Sequence, residues 1–307
     1  MIEQAMPNEA IAVTGLVKRF GSRTVLDAID LHVPQGQVIG LLGLNGSGKS
    51  TLIKCLLGLL RTDAGSALVL GTPAWDLADR EKSRIGYVPQ EPTLYPWLTV
   101  SQTVAYVASF YPRWDRAWGE ELLARWDLPP GHNTGVLSVG QKQKLALVLA
   151  LGHRPDLLIL DEPVASLDPV ARRWFLEAVL ETTANGVGTV LFSTHITSDL
   201  ERVASHVAIL REGHVVFHDE LDLLKDRVKR LRLEASVDLP ADLTVPGLLR
   251  AEVEGTRALL TVDGVTPALL ADLRQRLQTN VTVDDLNLEE IFLELHSGTA
   301  AHPHTAR

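Results

Sequence analysis

Strands alternating with helices along most of this chain predict an α/β fold built on a mostly parallel sheet covered on both faces. Three apolar runs carry that expectation: QVIGLLG at 37–43, DLLILD at 156–161 and TVLFSTH at 189–195. Each is short and nearly continuous in apolar residues, the signature of a strand buried on both sides, and each leads toward a stretch of helical periodicity. In such sheets ligands gather at the carboxyl ends of the strands.

The remaining elements are read in chain order. IAVTGLVKRF (11–20) and TVLDAIDLHV (24–33) alternate apolar and polar residues and read as strands joined by the turn GSR. QVIGLLG runs into a glycine-rich loop and a helix from about Ser50 to Leu60. GSALVLGTPAWD (65–76) has a hairpin-like pattern, followed by a helix of mixed charge and the strand RIGYVP (84–89). From about Glu91 to Asn133 the chain reads as largely helical, and SVGQ (138–141) opens a further helix. After DLLILD come the helix VARRWFLEAVLE (170–181), TVLFSTH, a short helix and HVAILREGHVVF (206–217), read here as one strand. These elements form a first domain placed at 1–222, with a helical subdomain at about 91–150. Beyond it, KRLRLEASV, LLRAEVEG and RALLTVDG read as strands, TPALLADLRQRL and NLEEIFLELH as helices. They predict a small α+β accessory region at 223–297, and the tail 298–307 is expected to be disordered.

With 307 residues, 46% hydrophobic and 22% charged, the chain has material for a sizeable core and a second, smaller one. No apolar run approaches the length that crosses a bilayer. MIEQAMPNEA carries acids and no basic flank before an apolar stretch, so no secretory signal is expected. Cys55 is the single cysteine, so an intrachain disulfide is excluded and a buried, unreactive thiol is expected. A net charge of −9 argues against a broad nucleic-acid surface, and RVKRLR (227–232) reads as a solvated face.

GLNGSGKST, Gly43 to Thr51, fits G-x-x-x-x-G-K-[ST] between an apolar strand and a helix, the setting a phosphate-binding loop requires. Gly43, Asn45, Gly46, Ser47 and Gly48 would wrap phosphates, Lys49 reach the β and γ oxygens, and the Ser50 hydroxyl, followed by Thr51, ligate Mg²⁺. LLILDEP (157–163) is an apolar strand ending in two acids, an arrangement that is costly unless a cation sits there. Asp161 would hold Mg²⁺ and Glu162 would polarise the attacking water. Gln90, ending IGYVPQ, is placed to sense Mg²⁺ and water; His195, ending VLFSTH, to donate to the γ-phosphate; Phe20 to stack on adenine. GVLSVGQKQKLALVLAL (135–151) starts a helix in the manner of an anion site, with open N–H groups and the positive end of the helix dipole. One chain thus carries two phosphate-binding surfaces.

This ordered set resembles the nucleotide-binding subunit of ATP-binding-cassette (ABC) transporters over roughly residues 9–220. GLNGSGKST looks like the family's Walker A, YVPQ its Q-loop, LSVGQ its signature and LLILDEP its Walker B. SLD, Ser166 to Asp168, resembles the D-loop, STH the H-loop, and Phe20 takes the aromatic position. The resemblance implies ATP and Mg²⁺, and a head-to-tail dimer in which Ser138, Gly140 and Gln141 of one copy contact the γ-phosphate on the other. Val139 departs from the family's Leu-Ser-Gly-Gly-Gln, where the first glycine would stand. The wording around the signature and the NLEEIFLEL ending are similar to exporter-type bacterial subunits of the branch associated with antibiotic resistance and drug or lipid export, which implies an ATPase at the cytoplasmic face of the cell membrane. Its expected partners are a second ATPase subunit, identical or paralogous, and a separate transmembrane permease; no nucleic acid is expected.

Nine of the sixteen aromatics fall between Tyr87 and Trp126, either as a groove for a membrane subunit's helix or as the core of the helical subdomain. The competing reading, a soluble ABC-type ATPase of translation or DNA maintenance, meets obstacles. Only one Walker A is present, and 88 positions (137 − 49) separate Lys49 from Leu137, too few for a long coiled-coil insertion. A GTPase or small-molecule kinase would leave LSVGQ unexplained, and no Asn-Lys-x-Asp is found.

Overall fold

The computed structural model describes residues 9–164, 167–184 and 188–297. They divide into two compact units that part between His218 and Asp219, against the boundary after residue 222 read from the sequence. Ser166 and the tail 298–307 lie outside the described residues.

The first unit opens with β1 (Glu9–Phe20) and β2 (Arg23–Pro34), then β3 (Val38–Leu42), α1 (Lys49–Leu56), β4 (Ala64–Val69) and β5 (Thr72–Pro73). β1, β2, β4 and β5 make an antiparallel sheet in the order β2-β1-β4-β5. Helix α1 stops four residues before the expected Leu60. Gly58 adopts φ 66 and donates its N–H to the Cys55 carbonyl, a left-handed C-terminal stop. The short α2 (Asp79–Lys82) leads to β6 (Ile85–Val88). Between 91 and 133 only α3 (Val100–Ala108) and α4 (Arg116–Arg125) are α-helical. The expectation of a largely helical stretch fails because Pro92, Pro96, Pro112, Pro129 and Pro130 interrupt it. Thr99 and Gln102 cap α3 reciprocally, and Asp115 caps α4.

Helix α5 (Val139–Leu151), β7 (Leu157–Asp161), α6 (Pro169–Thr183), β8 (Thr189–Thr194), α7 (Thr197–Val203), β9 (His206–Arg211) and β10 (His214–Glu220) complete the sequence of elements. The central sheet runs β10-β9-β3-β8-β7-β6, with β9, β3, β8, β7 and β6 paired in parallel. Every residue of β3, β7 and β8 is buried, which explains their unbroken apolar runs. Leu52, Ile53 and Leu56 of α1 join one core with Ile11, Leu16 and Leu31 of the antiparallel sheet and Ile39, Ile159 and Leu191 of the parallel one. Cys55 is buried in that core, and burial pushes its thiol up to about 11.

Residues 206–217 are two strands rather than one. Glu212 (φ 49) and Gly213 (φ 81) turn the chain between β9 and β10 with two successive left-handed residues. The Gly213 N–H donates to the Ser47 carbonyl at 3.1 Å, and its own carbonyl accepts from Asp27 N–H at 2.9 Å, tying this turn to the glycine-rich loop.

The aromatics at 87–126 divide. Trp118 and Trp126 are buried, and Tyr111 stacks at 3.9 Å on His153, whose burial lowers its pKa to about 4. Tyr95, Trp97, Tyr106 and Phe110 are exposed and touch in a row, with ring centroids 5.2–5.8 Å apart.

In the second unit, α8 (Leu221–Arg227) precedes β11 (Val228–Ala235), β12 (Leu248–Glu254), β13 (Arg257–Asp263), α9 (Pro267–Leu277), β14 (Thr279–Asp285) and α10 (Leu288–Ser297). The four strands form an antiparallel sheet ordered β12-β13-β11-β14, with Leu231, Leu233, Leu260, Val262 and Leu273 in its core. α8 and β14 are absent from the sequence reading. The basic run 227–232 is neutralised: Arg227 pairs with Asp263, Lys229 with Asp285 and Arg232 with Asp284 of neighbouring strands, and Arg230 with Glu290 of α10.

A Cβ at Gly213 would lie 2.5 Å from the Val25 carbonyl oxygen, in a backbone conformation that side chains avoid. Gly213→Ala should therefore lower unfolding stability by about 1–3 kcal/mol, read from the urea midpoint.

Candidate functional site

The loop between β3 and α1 closes because Gly46 (φ 80) and Gly48 (φ 111) take left-handed backbone. At Gly48 a Cβ would lie 2.7 Å from Leu26 Cδ2, so β2 packs directly on the loop. Lys49, the first residue of α1, is buried. Its Nζ donates to the carbonyls of Gly43 (2.7 Å) and Leu44 (3.3 Å) and lies 3.1 Å from Glu162 Oε1. Both side chains of that ion pair are only 6% exposed.

Asp161 and Glu162 leave the end of β7 in different ways. Asp161 continues the strand, opposite Ser193 on β8, and its Oδ1 accepts the Ser193 hydroxyl at 2.8 Å. Glu162 switches to φ 50, which turns its side chain back toward Lys49. Its N–H donates to Ser193 Oγ (3.0 Å) and to the Ser193 carbonyl (3.2 Å). Glu162 Oε2 is 2.7 Å from His195 Nδ1, whose ring is half exposed. Lys49, Glu162 and His195 thus form a continuous polar chain from the buried loop to the surface.

A cleft of about 390 Å³ opens over this chain, lined by Asn45, Gly46, Gly48, Lys49, Ser50, Thr51, Gln90 and Glu162 together with Arg23 and Val25. The fold therefore brings three separate sequence motifs to one place. Gly43 contributes through its carbonyl to Lys49, and Ser47 through its carbonyl to Gly213. Phe20 is half exposed at the end of β1 with Lys18 Nζ 5.4 Å above its ring, and does not line the cleft.

Ser138, Gly140 and Gln141 are not among the lining residues either. Ser138 caps α5: its Oγ accepts from Gln141 N–H at 3.2 Å, while Gln141 Oε1 accepts from Ser138 N–H at 3.0 Å. The N–H groups of Val139 and Gly140 have no partner among the described residues, and Val139 stands two-thirds exposed. Asp168 caps α6 by accepting from Val170 and Ala171 N–H, and pairs with Lys144 of α5 at 3.1 Å. Those bonds, the Ala171 N–H first, hold its carboxyl below the usual range.

Comparison with known proteins places these motifs. A family model described as "ABC transporter" matches residues 26–165, and one described as "AAA domain, putative AbiEii toxin, Type IV TA system" matches 133–198. A Nod factor export ATP-binding protein I of Burkholderia pseudomallei is 32% identical over 295 residues, covering 91% of this chain and 94% of that protein. The chain belongs to the ATP-binding subunits of ABC transporters. Among solved structures, an ATP-binding subunit of an ABC transporter is 32% identical with a TM-score of 0.66, covering 71% of this chain and 92% of that one. cbiO1 from Clostridium perfringens, described as part of the ABC transporter complex cbiONQ, is 27% identical with a TM-score of 0.58, over 69% of this chain and 89% of that one.

As a member of this family the chain binds and hydrolyses ATP in the service of transport. That membership decides between the two functional readings in favour of the transporter subunit. The ABC motifs left two neighbours of the site unnamed and gave a third, Ser193 of STH, no role. Arg23 and Val25 reach the cleft only because β2 packs on the glycine loop. Ser193 bridges both Walker B acids, and only the register of β7 against β8 shows it. Ser193→Ala should lower kcat for ATP about tenfold, as loss of a supporting hydrogen bond does, and lower unfolding stability by about 1–3 kcal/mol, since the buried Asp161 carboxylate loses its hydroxyl partner. An unaltered kcat would mean that the hydroxyl does not position the acids.

Proposed function

We propose that this chain is the ATP-hydrolysing subunit of a bacterial exporter, working as a head-to-tail dimer at the cytoplasmic face of the membrane through separate permease subunits. One observation carries the dimer: the start of α5 leaves the Val139 and Gly140 N–H groups without a partner among the described residues, away from the cleft that gathers Walker A, Gln90 and Glu162. The start of α5, with two open N–H groups, then serves a phosphate held by another copy. A two-fold arrangement satisfies both half-sites at once, because each surface meets its complement twice.

Within each site, Lys49 would neutralise the β and γ oxygens, and the N–H groups of Gly46 to Ser50 would cradle the phosphates. Glu162 accepts the proton of the attacking water, and His195 supports the transferring phosphoryl group. Phe20 offers a ring to adenine. Ser138, Gly140 and Gln141 of the opposite copy close on the γ-phosphate, with Asp168 next to them in its loop. Ser50, Gln90 and Asp161 are hydroxyl, amide and carboxylate oxygens, a hard donor set that fits Mg²⁺. Bound there, the ion would offset charge on the phosphates.

Export is supported by the likeness to the Burkholderia pseudomallei protein, a Nod factor export ATP-binding protein. Attachment to a permease on another chain is supported by two facts. Among the described residues no helix is long and apolar enough to cross a membrane. The exposed row Tyr95, Trp97, Tyr106 and Phe110 offers aromatic anchors of the kind that dominate protein interfaces.

Glu162→Gln should bind ATP yet hydrolyse it at least about 10²-fold more slowly. It should also elute as a dimer on size exclusion with ATP and Mg²⁺; a monomer carrying ATP under those conditions argues against the shared site. Trp97→Ala combined with Phe110→Ala should cut the fraction retained on membranes containing the permease about tenfold, as loss of two interface anchors does. The melting temperature of the soluble chain should hardly move.

A further inference from the structure

We infer that β12, the outer strand of the C-terminal sheet, is a pairing edge for the same strand of a second copy. β12 is hydrogen-bonded only to β13 within the sheet, and among the described residues 249–254 make no other backbone hydrogen bond. An open strand edge recruits another strand where it is regular; a bulge at Leu249, where Leu248 and Arg250 pair with the adjacent Val262 and Thr261 of β13, confines the regular edge to 250–254. Arg250, Ala251 and Glu252 are all exposed.

The occupant is identified by the order of residues. Leu249, Arg250, Ala251, Glu252 and Val253 read apolar, positive, small, negative, apolar. In an antiparallel pair with its two-fold axis at Ala251, Arg250 faces the other copy's Glu252 and the contact occurs twice; Leu249 lies in the bulge of β12 and stands outside this register. Moving the axis to Arg250 or to Glu252 sets two like charges directly opposite each other. Within one chain Arg250 pairs with Glu252 and lies 3.7 Å from Glu294 of α10, so the dimer brings each Arg250 beside a glutamate of either copy. The strand is thus complementary to itself in a single register, which is what a closed two-fold dimer needs.

The opposite edge differs. On β14 the adjacent Asp284 and Asp285 are engaged by Arg232 and Lys229 at 2.8 Å each, and the strand has no such self-complementary order. Pairing β12 with β14 would also be head-to-tail and would not close.

Pairing of one short strand buries far less than the roughly 1,200 Å² of a stable interface, so the edge adds to another contact between copies rather than replacing it. The proposed ATP-bound dimer is one such contact, and the pairing gains by effective concentration once that forms.

The test uses the full chain carrying Ala251→Cys, since Cys55 is buried and the parent protein provides a blank. Mild oxidation should yield a disulfide-linked dimer through position 251. Adding Glu252→Arg should lower the yield about tenfold, because it turns two attractive facing pairs into repulsive ones. Arg250→Glu with Glu252→Arg should restore it, with melting temperature checking that each variant is folded. Thr282→Cys on β14 reports random collision. The inference is overturned if the Ala251→Cys chain crosslinks no faster than the Thr282→Cys chain, or if Glu252→Arg leaves the yield unchanged. It is also overturned if the thiol introduced at position 251 stays reduced while chains that also carry Glu162→Gln dimerise with ATP. Crosslinking at 251 without any ATP-dependent dimer would instead sink the reading of the ATPase site and leave the strand pairing standing.

Discussion

A buried lysine facing a buried glutamate at the carboxyl end of a parallel sheet is the constraint around which the first unit is arranged. Strands covered on both faces have no place for an isolated charge, and one left alone after its partner's removal costs several kcal/mol. Lys49 and Glu162 meet at 3.1 Å with almost no exposure, so each makes the other tolerable. The backbone is adjusted to bring them together. Gly48 takes a conformation that a side chain would resist, and Glu162 adopts φ 50 with its N–H shared between two oxygens of Ser193. Strain of this kind persists only where the surroundings over-determine it. Here the surroundings are β2 beneath the loop and β8 beside β7.

The start of α5, proposed above as a second anion-binding surface, carries no buried charge. At the start of α5 the two polar side chains, Ser138 and Gln141, satisfy each other's backbone N–H groups. What remains open is main chain alone, at Val139 and Gly140. A helix start that exposes only N–H groups attracts anions without any titrating side chain of its own. Val139 is exposed there, and Gly140 adds no side chain over the two N–H groups.

The three strands buried on both faces were legible because burial on both sides writes itself as a continuous apolar run, and the phosphate loop because its glycines and lysine have fixed spacing. The start of α5 was visible for a related reason: the residues that shape a helix start are neighbours in sequence. What escaped depends on partners distant in sequence or on proline placement overriding a helical pattern. Ser193 looks like any strand hydroxyl until β8 is set in register with Asp161. The turn at Glu212–Gly213 puts a glutamate in left-handed backbone, which local chemistry does not announce. β14, TNVTVDD, has only two apolar residues, and its place follows from pairing with β11. The cations of 227–232 showed as charge, but their acidic partners stand 36 positions later, for Asp263 against Arg227, to 60 positions later, for Glu290 against Arg230.

Asp168 shows how the two surfaces are joined inside one chain. Its carboxylate accepts two N–H groups at the start of α6, close behind the β7 exit that carries Glu162, and also holds Lys144 one turn beyond Gln141 on α5. One side chain thus links the helix that begins with the signature to the segment that follows the Walker B acids. The link is exposed, so its energy is small. Its geometric effect is not, because a cap cannot shift without loosening the first turn of its helix. α5 and α6 are thus tied through one carboxylate. In the proposed dimer, where α5 of one copy meets a phosphate held by the other, that tie runs between the signature helix and the segment behind the acids of the same copy.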